Sequence, residues 1–267
     1  MRQGEVREVG AEHFEIVDVD VDGPEARFVE RCWSVRWNLP EDTEHEQLVL
    51  AHPTVTLIAS ATGTVVVGPP TATEVLRLSG RGFLVGAVFR PAGFRPFLGR
   101  SLATIVNATV PLGDIFPNNT LGDCDGNAGR FVESVSQLLA AADTVVGDTE
   151  TTSAIVEHAR ADRMILRVDE LATYAGMSVR LLERRFVDHV GLSPKAVIRR
   201  FRLQEVVERA RLGKVDWAAL ASDLGYSDQA HLTRDFRAVV GVPPATFHHQ
   251  ATDTFDCADS RLRYRRQ

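Results

Sequence analysis

Through the first third of the chain apolar residues tend to recur at every second position, and in the last two fifths at every third or fourth. The first spacing predicts half-buried strands and the second predicts amphipathic helices. Residues 13–21 alternate (Phe14, Ile16, then Val17, Val19, Val21) and stop at Asp22-Gly23-Pro24, which reads as a turn. A strand over 28–38 places Val29, Arg31, Trp33, Val35 and Trp37 on one face. The β-branched runs 55–60 and 64–67 flank Ala61-Thr62-Gly63 and predict a hairpin. Runs 75–78 and 83–89, around Ser79-Gly80-Arg81-Gly82, predict a second. Short strands at this spacing predict a barrel or a sandwich. Segments 111–114, 117–120 and 123–129 carry loop chemistry. Residues 130–142 then form a helix with Phe131, Val135, Leu138, Leu139 and Ala142 on one stripe, which either packs back on the strands or meets a second subunit. Residues 144–152 read as a linker, and Ile155, Val156, Ala159 and Ile165 open the helical part.

In that helical part the same pattern occurs twice. Leu171-Ala172-x-x-Ala175-Gly176-Met177-Ser178, Leu182-x-Arg184-x-Phe186 and Gly191-x-Ser193-Pro194 are answered by Leu220-Ala221-x-x-Leu224-Gly225-Tyr226-Ser227, Leu232-x-Arg234-x-Phe236 and Gly241-x-Pro243-Pro244. The offset is 49 residues at Leu171/Leu220 and 50 from Leu182/Leu232 onward, so the second copy carries one extra residue after its serine. A repeat of this period means two copies of one supersecondary unit. In each, a short helix ends at a glycine that takes a left-handed conformation without a Cβ clash. Ser178 and Ser227 are placed to cap the helix that follows, and Asp216 the helix before Gly225. Leu182, Phe186 and Val190 bury one second helix, and Leu232, Phe236 and Val239 or Val240 the other. Arg180, Glu183, Arg184 and Val187 are left outward in the first, and Gln229, Ala230, Thr233, Arg234 and Arg237 in the second. Two helices crossing at a glycine turn, the second with an exposed basic face, form a helix-turn-helix, whose second helix enters the DNA major groove. Ser193 and Pro194 open a third helix that nothing interrupts until Gly213. Its roughly 28 Å can hold the two outward helices near the 34–36 Å repeat of the major groove.

These residues resemble the DNA-binding domain of AraC/XylS-type transcription regulators over roughly residues 153–250, in LA-x-x-A-G-M-S, RRF and G-L-S-P, and again in ALA-x-x-LGYSDQAHLTRDF and G-V-P-P. The family usually has an aromatic where this chain has Leu232, and often Ser-Tyr or Ser-His where it has Ala230-His231, a change beside the reading face. The resemblance implies that Arg180, Glu183, Arg184, Gln229, Ala230, Thr233, Arg234 and Arg237 contact DNA. It implies a cupin-like sensor barrel for the first part; W-S-V-R-W, G-R-G and F-R-P-A-G-F resemble the N-terminal domains of one subgroup of such regulators. The resulting architecture is α+β with two domains: residues 1–145 as a cupin-like β-barrel with a helical connector, residues 153–250 as an all-α domain with two helix-turn-helix units on a long helix. Residues 251–267 lack apolar periodicity and read as a disordered tail.

Charge changes the picture in one respect. The chain of 267 residues carries a net −6, which by itself argues against DNA binding. Residues 1–152 hold 11 arginines and no lysine against 21 acids, giving −10; the remainder holds 19 basic against 15 acidic residues, giving +4. The basic part supplies the electrostatic footprint of a duplex binder, and the acidic part is expected to stay away from DNA. Three scattered cysteines, Cys32, Cys124 and Cys257, suit neither a disulfide framework nor a zinc site. With no long apolar run and no signal-like N-terminus, a cytoplasmic protein that does not meet a membrane is expected.

Candidate chemistry in the first part is sparse. A cupin metal site needs two histidines one residue apart, whereas His45 and His52 are seven apart, so structural or surface histidines and no bound metal are expected. Trp33 and Trp37 are candidates for a ligand pocket or for core, and Arg90 for an anion site or a turn tether. Cys32, beside Arg31 on the opposite strand face, reads as inert. The sequence thus points to a sequence-specific transcription regulator, not an enzyme. Its partners would be double-stranded DNA, a small-molecule effector, RNA polymerase and a second copy in a homodimer, with no cofactor. The alternatives are a ligand-independent DNA-binding or tethering protein, and a cupin-type enzyme with an attached DNA-binding domain.

Overall fold

The computed structural model of this chain describes residues 13–117, 121, 124–141, 147–211 and 215–250. The tail 251–267, Cys257, Ala142 and the start of the expected linker lie outside them. The first half is β-rich: β1 (Phe14–Asp20), β2 (Val29–Asn38), β3 (Glu44–Val49), β4 (Thr56–Ser60), β5 (Gly63–Val67), β6 (Glu74–Ser79) and β7 (Arg81–Phe89) lead into α1 (Arg95–Leu98), a 3-10 turn at Leu102–Ile105 and β8 (Thr109–Pro111). An antiparallel sheet runs β1-β2-β7-β4-β5-β8, and β3 pairs with β6 in a separate two-stranded sheet.

The expected barrel does not close, because β1 and β8 are the two edges of the larger sheet. The strands left over, β3 and β6, carry Glu44, Glu46, Glu74 and Arg77 and pair with each other outside it. The β4–β5 hairpin forms as expected, whereas the one expected between residues 75–78 and 83–89 does not. Gly80, at φ +55°, turns the chain out of one sheet into the other. The reason is burial: β7 ends in the buried run Val85–Phe89 and needs a strand on each side, while β6 is mostly exposed.

Two glycines fix how β7 meets β2. Trp33 lies opposite Gly86 and Trp37 opposite Gly82. Each indole covers its glycine so closely that a Cβ would come within 2.4 Å at Gly86 and 2.2 Å at Gly82. Aromatic cover of a bare strand position pins register because no other residue fits beneath the ring. A bulge between Val29 and Arg31 also revises the face assignment in β2. It sends Val29 into the same core as Cys32, while Trp33 and Val35 join Val88, Phe14, Trp37 and Leu84 on the other side.

The main β-rich core gathers Phe28, Leu57, Val85, Phe89, Phe94, Phe97 and Phe116 and is closed by α2 (Ala128–Ala141). The stripe Phe131, Val135, Leu138 and Leu139 of α2 is buried there, so this helix packs within its own chain. At about 1.5–3 kcal/mol per buried large apolar side chain, the stripe has a strong reason to stay.

The second half is helical: α3 (Gly147–Ala161), α4 (Val168–Tyr174), α5 (Val179–His189), α6 (Pro194–Arg211), α7 (Trp217–Asp223), α8 (Gln229–Val240) and α9 (Pro244–Gln250). Residues 147–152, expected as linker, form the first turns of α3, with Thr149 and Thr152 buried. The two halves are docked. Leu50 and Ala51 enter the core of the second helix-turn-helix unit, and Ala92 enters that of the first. Arg200 of α6 donates to the carbonyls of Ala51 (3.0 Å) and Thr71. The Thr73 amide donates to Val239 O at 2.8 Å. No helix among the described residues is long and apolar enough to cross a membrane.

Candidate nucleic-acid interface

Each unit is built as its sequence dictates. Gly176 at φ +62° and Gly225 at φ +69° end α4 and α7 in the left-handed conformation. The amides that follow reach back into the helix, Met177 N to Ala172 O at 3.0 Å and Tyr226 N to Ala221 O at 2.9 Å, which satisfies carbonyls the helix would otherwise orphan. Ser178 caps α5 by accepting from Leu181 N at 3.3 Å, and Asp216 caps α7 by accepting from Ala218 and Ala219 N at 3.0 and 3.1 Å.

At α8 the expected capping serine is displaced by its neighbour. Asp228 accepts from His231 N at 2.7 Å, and that hydrogen bond holds its carboxyl below the usual range. Ser227 Oγ instead pairs with Asp228 Oδ2 (3.3 Å) and His231 Nδ1 (3.2 Å). This is where the second copy's extra residue goes. It makes Gln229, not Asp228, the structural equivalent of Val179, and it aligns Arg234 with Arg184.

The inward positions are core. Leu171, Leu182 and Phe186 in the first unit, and Ala221, Leu232 and Phe236 in the second, are essentially without solvent contact. Phe247 of α9 packs edge-on against Phe236, ring centroids 5.6 Å apart. Outward, Arg180, Glu183, Arg184 and Val187 are exposed on α5, and Gln229, Ala230, Arg234 and Arg237 on α8; Thr233 is half-buried. Arginines that face other elements are tied down: Arg185 to Asp148 at 3.0 Å, Arg199 to Asp235 at 2.8 Å, Arg163 and Arg209 to Glu205 at 2.8 Å each. By contrast, the side chains of Arg180, Arg184 and Arg237 make no hydrogen bond, ion pair or ring contact among the described residues, and that of Arg234 has only the attraction of Asp228. An arginine kept exposed and uncommitted remains available to a carboxylate, phosphate or base edge.

The helix between the units, α6, is opened by Ser193, whose Oγ accepts from Ala196 N at 3.2 Å, with Pro194 as its first residue. Its 18 residues span about 27 Å. Arg199 fastens α8 to it, with Nε to Asp235 Oδ2 at 2.8 Å and Nη2 to Asp235 O at 3.3 Å.

Of the candidate ligand residues of the β-rich half, Trp33 and Trp37 share one core cluster and Arg90 is not part of it. Trp33 is 1% exposed and belongs to the core around Val35 and Val88. Trp37 donates to Ser79 O at 3.2 Å, and Arg90 Nε to Ala26 O at 2.7 Å, tethering the turn before β2. His45 pairs with Gln47 at 3.3 Å and His52 meets Gln204 of α6. Burial pushes the Cys32 thiol up to about 12, the state of an unreactive thiol. A polar cavity of about 520 Å³ instead opens between the halves, lined by Glu30, His52, Glu157, Arg160, Arg202 and Gln204 among others. Sequence reasoning missed this cavity, the Arg200 strap and the seat of α5 on the β-rich half. All rest on pairs far apart in the chain, which leave no local signal.

Residues 171–250 match the family model described as Helix-turn-helix domain, and residues 26–111 match Domain of unknown function (DUF6597). A putative AraC-like transcription regulator from Streptomyces lividans is 31% identical over 85 residues, which are 32% of this chain and 28% of that protein. The HTH-type transcriptional activator RhaS of Pectobacterium atrosepticum is 30% identical over 81 residues, 30% of this chain and 29% of its own length. The chain thus spans less than a third of these relatives. Among solved structures, an AraC-type transcriptional regulator from Chromobacterium violaceum superimposes on 40% of this chain and 96% of its own, at 22% identity and TM-score 0.37. ToxT from Vibrio cholerae O395 covers 90% of this chain and 99% of its own, at 9% identity and TM-score 0.41.

Proposed function

We propose, from the premise that residues 171–250 are an AraC-type helix-turn-helix domain, that this protein is a sequence-specific, DNA-binding transcription regulator. The observation that carries the reading is the pair α5 and α8. Each presents an uncommitted arginine at an equivalent position, Arg184 and Arg234, and both are mounted on one 18-residue helix. Arg184 and Arg234 each read a guanine through O6 and N7, and Gln229 reads an adenine. Arg180, Glu183, Ala230, Thr233 and Arg237 flank these contacts. The β-rich half acts as the sensor. A small polar effector seated between the halves would touch α3, α6 and the 52–54 loop together and so bias how they dock.

Selection of random duplexes on the whole chain should enrich a motif with two blocks about 10 bp apart. Arg184→Ala should weaken binding to that motif by about 5- to 150-fold, the loss of about 1–3 kcal/mol of base discrimination, with unchanged melting. A single enriched block, or a variant that unfolds, refutes the reading.

A further inference from the structure

The β-rich half, with its acidic balance, is expected to avoid DNA. The geometry points to one exception: we propose that Arg100 carries the DNA-binding surface onto this half, by pairing with a duplex phosphate beside the groove that α5 enters. This rests on the proposed DNA-binding function.

The placement comes from the local chain. Gly99 ends α1 in the left-handed conformation at φ +69° and turns Arg100 out to solvent. Ser101 follows. Its Oγ accepts from Ala103 N at 3.3 Å, capping the turn at Leu102–Ile105, and donates to Val187 O on the last turn of α5 at 3.2 Å. Arg95 holds Asp188 at 3.2 Å, so this acid of the seam is already paired. The seam is close: a Cβ at Gly191 would stand 2.9 Å from Val106 and 3.1 Å from Leu102 O. Ser101 lines the same shallow depression as Arg180, Glu183 and Arg184. Arg100 is therefore held one residue from the reading face of α5.

The electrostatics single it out. The other described arginines of the β-rich half are engaged, from Arg31 with Asp18 to Arg130 with Asp125. Arg100 makes no hydrogen bond, ion pair or ring contact among the described residues. It shares that state with Arg180, Arg184 and Arg237, the arginines of the reading face. A recognition helix offers its N-terminal residues to base edges, so its last turn lies towards the groove rim, where the sugar–phosphate strand runs. Arg100 adjoins that last turn. A phosphate is the group it meets, and a guanidinium binds one through paired hydrogen bonds.

The test measures affinity of the whole protein for its selected duplex between 50 and 200 mM salt. Arg100→Gln should make the slope of log K against log salt shallower by about 0.9, one phosphate's worth. Over that fourfold range its affinity should fall about 3.5-fold less than that of the wild type. Base preference should stay the same. Arg77→Gln, which removes an exposed arginine already paired with Glu46 at 3.0 Å, should track the wild type. An unchanged slope for Arg100→Gln, with Arg184→Ala still weakening binding, overturns this inference and leaves the proposed function standing. A shift in base preference overturns the phosphate assignment. A wild-type chain that binds no duplex overturns both.

Discussion

Arg200 is 5% exposed and sits on the helix that carries both reading units, yet its hydrogen bonds go to the β-rich half. Burial, and secondarily the charge of Arg199, push its guanidinium down from 12.5 to about 10. That gap represents about 3 kcal/mol of cost in keeping the ion inside. Against it stand two charge-assisted hydrogen bonds. The one to the buried Ala51 carbonyl contributes about 1.5–3 kcal/mol. The one to Thr71, an exposed residue, contributes about 1 kcal/mol, because water replaces it easily. The terms nearly cancel. Arg200→Met, which keeps an apolar stem and removes both charge and donors, should therefore change overall stability by less than about 2 kcal/mol. Arg200→Lys should be worse than Met, because an ammonium retains the burial cost and has no fork with which to span both carbonyls. Urea unfolding followed by far-ultraviolet circular dichroism and by tryptophan emission (Trp33 and Trp37 in one half, Trp217 in the other) ranks the variants. A Lys variant as stable as Met, or a Met variant losing more than about 3 kcal/mol, would refute this balance of terms.

Other outcomes follow from the same structure. Gly86→Ala should cost about 1–3 kcal/mol and shift tryptophan emission, because its Cβ would stand 2.4 Å from the Trp33 ring. Asp228→Ala should loosen the start of α8 and weaken duplex binding, whereas Ser227→Ala should leave helix content unchanged; circular dichroism and binding assays on both separate the two roles. The Cys32 thiol, raised from 9.0 to about 12, contributes stability that is complete below pH 9 and is lost as pH rises towards 12, since only the unfolded chain releases that proton in between. The fall is about 1.4 kcal/mol per pH unit. Cys32→Ala should remove that component from the pH dependence of the urea midpoint, and an identical slope would show that the thiol ionises inside the fold.

What was legible in the sequence was what is local. The 49- and 50-residue offsets placed both helix-turn-helix units, and Gly176, Gly225, Ser178 and Asp216 act where their chemistry put them. Ser227 shows how fine the limit is. The extra residue was visible, but whether the serine or the aspartate after it takes the cap depends on backbone angles, and Asp228 sits at φ −165° and ψ 170° with its side chain over the first turn. Strand positions were largely readable and strand partners were not. Alternation says which residues face a core but not which sheet supplies it, so Gly80 looked like a hairpin turn when it separates two sheets. Strand β3, with Glu44, His45, Glu46 and Gln47, carries no apolar rhythm and was missed. The docking of the halves rests on Arg200–Ala51, Ser101–Val187 and Thr73–Val239, pairs that no local pattern announces.

The two turns after the reading helices have the same motif and different surroundings. Gly191, after α5, is packed against Leu102 and Val106, whereas Gly241, after α8, has open space around it. The internal duplication is therefore symmetric only in sequence, and the molecule has a front and a back. Bound across two successive grooves, it would lie in one direction only, with Ser101 at the end of the helix that reads one block and Thr73 at the end of the helix that reads the other. Inverting the site should then turn the whole protein around, so that anything the β-rich half touches would be met on the opposite flank. A promoter that depends on this protein would be sensitive to the orientation of its site as well as to its distance.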